Sequence, residues 1–135
     1  GLVNGLAAVT SRGLAGRVIE TGRHASRILL LTDLNSRVPV VIEGSRYRAV
    51  LEGDNSDTMH LNFLAAAAKL SPGDKVVTSG HGGVFPPGLP VGVVSSAKGG
   101  ALRVQPFVDY DRLEFVRIIR YAFPQPDEVR KGIKP

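Results

Sequence analysis

The sequence predicts an all-β fold made of many short antiparallel strands. Sixteen glycines and nine prolines interrupt a chain that is rich in Val, Leu and Ile, and this combination is typical of β-sandwiches and β-barrels. Apolar and polar residues alternate over short runs, for example from Tyr47 to Leu51, as they do in a half-buried strand. With 43% hydrophobic and 21% charged residues, the composition is that of a globular protein.

The first half of the chain contains six predicted strands. The run 27–32 is apolar almost throughout, so we expect it to cross a core that is closed on both sides. The runs 38–43 and 47–51 form the best hairpin candidate, and residues 44–46 join them. The other three predicted strands of this half lie at 5–9, 16–20 and 59–63.

The second half contains four more predicted strands and one window that favours helix. Residues 64–70, Leu-Ala-Ala-Ala-Ala-Lys-Leu, form this window because alanine loses least on entering a helix. The run 113–121 has a period that also suits a helix, but its β-branched residues favour a strand. The tail 122–135 contains prolines and mixed charges and is expected to be flexible. The four strands are predicted at 75–79, 91–97, 101–107 and 113–121.

A short internal repeat suggests how these strands are grouped. Residues 5–11 and residues 73–79 both begin with glycine and end with Val-Thr-Ser. A duplicated small β-unit explains the match, and chance is the alternative.

The repeat predicts two small antiparallel β-barrels, one inserted into the other. The inserted barrel would have about six strands, whereas the first has too few strands to close. We therefore expect the first barrel to lack its N-terminal strands, and a chain that starts without an initiator Met fits this expectation. The predicted domains are 1–15 plus 90–121 for the first barrel, 16–80 for the inserted barrel, 81–89 for the interdomain crossing and 122–135 for the tail.

The segment 78–90, Thr-Ser-Gly-His-Gly-Gly-Val-Phe-Pro-Pro-Gly-Leu-Pro, concentrates residues that form turns. Glycine reaches backbone angles that cost other residues free energy, and proline restricts φ and removes an amide donor. The segment is therefore expected to be a stiff connection between two strands. Its structural turn residues are predicted to be Gly80, Gly82, Gly83, Pro86, Pro87 and Gly88.

Three apolar residues lie inside this connection: Val84, Phe85 and Leu89. A large apolar side chain in a loop either packs into the fold as a plug or contacts a partner. Both alternatives stay open from the sequence, and the three residues are the predicted partner-binding residues.

A catalytic site is not predicted. Ser79, His81 and Asp74 superficially suggest a serine hydrolase, but a catalytic triad draws its members from distant segments and holds them in mutual hydrogen bonds. The Gly-x-Ser-x-Gly nucleophile elbow is also missing. The histidines lack metal-ligand spacing, and the chain contains no cysteine. We predict no catalytic residue, no metal and no cofactor, with a hydrolase that uses Ser79 as the alternative.

The basic charge of the chain raises a second alternative, a nucleic-acid-binding β-barrel. The net charge is +5 at pH 7 and the isoelectric point is about 10.0. However, the arginines are spread along the chain, and 6% aromatic residues offer few platforms for stacking bases. We therefore expect a solvated basic surface and no nucleic-acid partner.

Several segments form an ordered set of motifs from about Gly5 to Ile119. The most specific is Gly-Asp-Lys-Val-Val-Thr-Ser-Gly at 73–80, which is followed by Gly-Gly-Val-Phe-Pro-Pro-Gly-Leu-Pro-Val-Gly at 82–92. The other segments lie at 13–18, 26–33, 36–40 and 53–54. Together they resemble the rod shape-determining protein MreC family.

The resemblance implies a non-enzymatic scaffold for bacterial cell shape. Members of this family have a short cytoplasmic tail, one inner-membrane helix, a coiled coil and a periplasmic pair of small β-barrels likened to those of chymotrypsin. This chain would be the periplasmic part without its anchor, at the periplasmic face of the inner membrane. The implied partners are the elongation transpeptidase, which is a class B penicillin-binding protein, then MreD, RodA and the actin-like MreB, and further copies of the chain itself.

Overall fold

Strands account for nearly all of the regular structure. The computed structural model describes residues 2–20, 26–65, 68–96, 101–112 and 116–124. Within these ranges the regular structure other than strand consists of two 3₁₀ turns, His81–Gly83 and Tyr110–Arg112. The strands are β1 (Leu2–Thr10), β2 (Gly13–Glu20), β3 (Ser26–Leu30), β4 (Arg37–Ile42), β5 (Arg48–Glu52), β6 (His60–Asn62), β7 (Lys75–Thr78), β8 (Pro90–Ser96), β9 (Leu102–Pro106) and β10 (Arg117–Pro124). The prediction of an all-β fold is confirmed.

Each predicted strand overlaps one observed strand, and the main differences are at the chain ends. Residues 122–124 belong to β10 and not to a tail, while residues 125–135 lie outside the described part of the chain. The predicted helix at 64–70 is not seen at residues 64, 65 and 68–70, because so short an alanine run cannot offset the cost of helix nucleation. In the described residues no helix has the length and apolar character needed to cross a membrane.

Six strands form a sheet that nearly closes into a barrel. Their order is β6-β5-β4-β7-β8-β9, with antiparallel neighbours throughout. The two edges of this sheet meet at Met59 and Val104. The Met59 N–H donates to the Val104 carbonyl at 2.9 Å, and the Val104 N–H donates to the Met59 carbonyl at 2.8 Å. This closure shortens the free strand edges that could otherwise pair with another chain.

Arg103 on β9 reinforces the closure. Its guanidinium donates to Thr58 Oγ1 at 2.7 Å and to the Asp54 carboxylate at 2.7 Å, and both partners lie in the turn between β5 and β6. Hydrogen bonds from Ser56 and Arg103 lower the pKa of Asp54 to about 2. The pair is therefore ionised at neutral pH, and it ties the turn that precedes β6 to β9.

The remaining four strands form a second sheet in the order β10-β1-β2-β3. The two sheets lie close together at Gly13, the first residue of β2. A Cβ added at this position would lie 2.6 Å from the Pro90 carbonyl oxygen on β8. One continuous apolar core joins the sheets. The second sheet and the residue after β3 contribute Ala7, Val9, Leu14 and Leu31, and the barrel side includes Val38, Val40, Ile42, Ala49, Leu51, Met59, Val76, Phe85, Val91, Val94 and Val104.

The predicted grouping of the strands differs from the observed pairing. In the second sheet β2 pairs with β1 and β3 pairs with β2, although β2 and β3 were expected in the inserted barrel. Strands β8 and β9 belong to the barrel, although they were expected to pair with the start of the chain. These assignments are wrong because hydrogen bonds between distant strands decide the pairing, and a local repeat carries no information about them.

Tyr110 links the chain leaving the barrel to the second sheet. Its hydroxyl donates to the Ala15 carbonyl at 2.6 Å and accepts from the Leu31 N–H at 3.3 Å. Burial raises the pKa of Tyr110 to about 12, although the hydrogen bond from Leu31 opposes this rise. The folded protein therefore holds the phenol proton more tightly than the unfolded chain does.

We expect Tyr110→Phe to lower the free energy of unfolding by about 1 kcal/mol at neutral pH, because one hydrogen bond to each of Ala15 and Leu31 is lost. In the parent protein the contribution of the phenol is fully present below pH 10 and is lost as the pH rises towards 12. Urea unfolding at pH 7, 10 and 11.5 measures both effects. An equal alkaline loss of stability in the parent protein and the variant would contradict this assignment.

Candidate partner-binding surface

Residues 79–89, here called the 79–89 loop, connect the neighbouring strands β7 and β8 of the barrel. The loop is therefore a connection within one sheet and not the predicted crossing between two barrels. Its four glycines, Gly80, Gly82, Gly83 and Gly88, all have φ between 73° and 83°. At Gly80 a side chain is also excluded by contact, because an added Cβ would lie 2.9 Å from Pro87 Cβ.

Thr78, the last residue of β7, anchors both ends of this loop. Its hydroxyl donates to the Pro86 carbonyl at 2.6 Å and accepts from the Leu89 N–H at 2.8 Å. Its own N–H donates to the Leu89 carbonyl at 2.9 Å, and its carbonyl accepts from the Gly88 N–H at 2.8 Å. With 1% of its surface exposed, Thr78 makes these bonds without competition from water, so they hold the loop in one conformation.

The three apolar residues of the loop differ in exposure. Phe85 is 4% exposed and belongs to the core cluster, so its side chain is a plug between the barrel and the second sheet. Val84 and Leu89 are half-buried and pack against the same cluster. Both therefore keep surface that a partner can reach, and a partner-binding role for the three residues stays a prediction.

A cleft of about 420 Å³ lies where the loop meets the two sheets. The loop contributes His81, Gly82, Val84 and Phe85 to it. The opposite side includes Arg17 and Leu29 from the second sheet and Arg37 and Val50 from the barrel. Sequence reasoning missed these last four residues, because they come from four different strands and no local pattern marks them.

Ser79, His81 and Asp74 do not form a catalytic arrangement. Ser79 Oγ accepts from the backbone N–H of His81 at 3.2 Å, and the Asp74 carboxylate accepts from the Ser71 N–H at 2.9 Å. In this described stretch no hydrogen bond joins the side chains of the three residues. His81 also lines the 420 Å³ cleft, whereas Ser79 lines a different groove.

The other polar residues considered from the sequence have structural partners or lie outside the described chain. His60 Nε2 lies 2.9 Å from Glu52 Oε1, and Arg37 Nε lies 2.9 Å from Glu52 Oε2, which links β4, β5 and β6. His24 lies outside the described residues. No group of three or more His, Asp or Glu side chains suited to a metal ion occurs among the described residues.

Comparison with known proteins places this geometry in a family. A family model described as "Rod shape-determining protein MreC, barrel core" matches residues 1–120. The chain belongs to the MreC family. It is 48% identical over 120 residues to the cell shape-determining protein MreC of Cereibacter sphaeroides. That match covers 89% of this chain and 40% of the relative, so the chain spans less than half the length of this curated MreC protein.

Solved MreC structures share the fold. The crystal structure of MreC from Pseudomonas aeruginosa superposes with a TM-score of 0.71 at 30% identity, over 91% of this chain and 82% of the other. A second structure is described as the complex between Penicillin-Binding Protein (PBP2) and MreC from Helicobacter pylori. It matches with a TM-score of 0.69 at 21% identity, over 88% of this chain and 78% of the other, which is a likeness of fold.

Replacing Thr78 by Val is expected to lower the free energy of unfolding by about 1–3 kcal/mol, because the part-buried Leu89 N–H and Pro86 carbonyl both lose their partner. Thr78→Ser keeps the hydroxyl and is the matched control, with a smaller loss. Chemical denaturation compares the two variants, and hydrogen exchange at Gly88 and Leu89 tests whether the loop is released. Equal stability of the valine and serine variants would show that the hydroxyl does not hold the loop.

Proposed function

We propose that this chain is a periplasmic binding module of the bacterial cell-elongation machinery and that it holds the elongation transpeptidase, a class B penicillin-binding protein. The observation that carries the proposal is the MreC family match over residues 1–120. The description of a PBP2–MreC complex for the Helicobacter pylori protein supports the choice of partner. On this proposal the chain acts at the periplasmic face of the inner membrane.

The rigid 79–89 loop is the proposed contact. The Thr78 hydrogen bonds and the buried Phe85 ring fix its backbone, so little conformational entropy is lost when a partner binds. Val84 and Leu89 offer half-buried apolar surface on this fixed backbone. In this arrangement the buried Phe85 side chain holds the loop on the core, and the side chains of Val84 and Leu89 contact the partner.

The proposed role of Val84 is tested with two aspartate variants. We expect Val84→Asp to weaken binding of the purified periplasmic region of the transpeptidase by tenfold or more, which is a loss of at least about 1.4 kcal/mol. Phe63→Asp adds the same charge at an exposed residue that follows β6, three strands away from β7 in the barrel order. This control is expected to bind like the parent protein.

Isothermal titration calorimetry measures the affinities, and thermal melts check that each variant is folded. Val84→Ala serves as a milder variant if Val84→Asp proves unstable. Parent-like binding by a folded Val84 variant would place the contact elsewhere, and failure of the parent protein to bind would overturn the choice of partner.

The scaffold is proposed to be non-enzymatic. The supporting geometry is the separation of Ser79 from His81 and Asp74, since no base is hydrogen-bonded to the Ser79 hydroxyl through its side chain in this described region. A fluorophosphonate probe is therefore expected to leave Ser79 unmodified in the folded protein. Mass spectrometry of the treated chain gives the result, and stoichiometric labelling of Ser79 would restore the hydrolase alternative.

The wider assembly is also part of the proposal. The family resemblance implies that MreD, RodA and MreB act with this module directly or through the membrane complex, and that copies of the chain self-associate. Free edges remain on β3 and β10, because each is the outermost described strand of the second sheet. Such edges allow strand pairing with a second polypeptide.

A further inference from the structure

A second groove, of about 380 Å³, lies on the outside of the barrel. It is formed where the hairpin between β4 and β5 meets the end of β7 and the 79–89 loop, and it shares no lining residue with the 420 Å³ cleft. Arg48, Val41 and Val77 are cross-strand neighbours on β5, β4 and β7. The groove therefore has a floor of valine methyl groups with a guanidinium at one side.

Arg46 adds a second guanidinium, and its backbone is unusual. Its φ is 67°, in the left-handed region that residues with a Cβ occupy at a cost in free energy. The Arg46 N–H donates to the Ile42 carbonyl at 2.8 Å, which holds the turn in this conformation. Strained residues of this kind cluster at binding sites, where the surrounding structure imposes them.

The charges around the groove are unbalanced. Arg46 and Arg48 both line it, and among the described residues no Asp or Glu does. The salt bridges found among the described residues use Arg37, Arg103 and His60 as cations. A guanidinium pairs with a carboxylate through two parallel hydrogen bonds, which makes arginine well suited to binding acidic side chains.

The other sides of the groove offer a hydrogen-bond donor, open space and an apolar floor for a side chain of a partner. Ser79 lines the groove, and its hydroxyl proton is available for an oxygen because the described hydrogen bond of Ser79 Oγ uses it as an acceptor. At Gly88 an added Cβ would meet no atom of the described chain within 4 Å, so this wall leaves open space for a partner. The valine floor suits the methylene groups of an aspartate or glutamate better than it suits a bare phosphate.

We propose that the groove between Arg46, Arg48, Ser79 and Gly88 binds a carboxylate side chain from an acidic segment of a protein partner. The proposal rests on the proposed function, since it names a second point of contact with the transpeptidase. It places an electrostatic contact beside the apolar contact of the 79–89 loop. Such a charged contact raises the association rate and selects the orientation of the partner.

A peptide titration tests the groove without the transpeptidase. The ¹⁵N-labelled chain is titrated at low salt with an end-capped tetraglutamate peptide, with end-capped tetraglutamine as the uncharged control and inorganic phosphate as the small anion. We expect the glutamate peptide to shift the amide signals of residues 46–48, Ser79 and Gly88. Saturation by phosphate at the same concentration, or shifts spread evenly over all exposed arginines, would overturn the proposal.

Three variants assign the effect to the guanidiniums. Arg46→Gly removes one guanidinium and relieves the left-handed backbone, so the protein stays folded while it loses affinity for the peptide. Arg48→Gln removes the other guanidinium. Arg12→Gln changes an exposed arginine outside the groove and is the matched control. The double variant combines Arg46→Gly with Arg48→Gln. We expect its dissociation constant for the peptide to be at least tenfold larger than that of the parent protein, and the control to bind like the parent. Equal binding by all variants would refute the assignment.

Binding to the transpeptidase then separates this inference from the proposed function. The double variant is expected to associate at least tenfold more slowly than the parent protein at low salt, with a smaller dependence of the rate on salt. If the parent protein and the double variant bind equally fast, the groove is not a transpeptidase contact, although the proposed function stands. If the parent protein binds the glutamate peptide but not the transpeptidase, the proposed function fails and the groove still binds carboxylates.

Discussion

The hydroxyl of Thr78 both donates and accepts a hydrogen bond within the 79–89 loop, and the proposed partner-binding surface depends on these two bonds. A loop that packs against a core must satisfy its own backbone groups, because water cannot reach them. Thr78 satisfies Pro86 and Leu89 through its side chain and Gly88 and Leu89 through its backbone. The loop can therefore place Phe85 in the core and still present Val84 and Leu89 near the surface.

The 79–89 loop extends from a six-stranded barrel whose edges are joined by hydrogen bonds. The paired hydrogen bonds between Met59 and Val104 join the two edges of the six-stranded sheet, and Arg103 ties the adjacent turn to β9. The core of the barrel continues into the second sheet. Tyr110 adds a polar link at this junction. These contacts make the cleft and the Arg46–Arg48 groove parts of one supported surface, which suits the proposed role in holding a partner.

The structure changes the interpretation of several residues that the sequence singles out. Phe85 is a plug, whereas from the sequence a plug and a partner contact were both open. Ser79 and His81 are neighbours in sequence but line separate grooves, so their proximity along the chain has no catalytic meaning. Arg46 and Arg48 carried no signal in the sequence, because their relation to Val77 and Gly88 exists only after β4 pairs with both β5 and β7.

The sequence by itself determined the fold class, the position of each strand and the rigid character of residues 78–90. These properties depend on local chemistry: alternation of side chains, turn residues, and the restricted backbone of proline. The family resemblance was also visible in the motifs at 73–80 and 82–92. Only the tertiary structure decided which strands share a sheet, how the barrel closes and which distant residues line a groove. Pairing between strands far apart in sequence depends on long-range hydrogen bonds and on burial in a common core, and a repeat such as the one between residues 5–11 and 73–79 records neither.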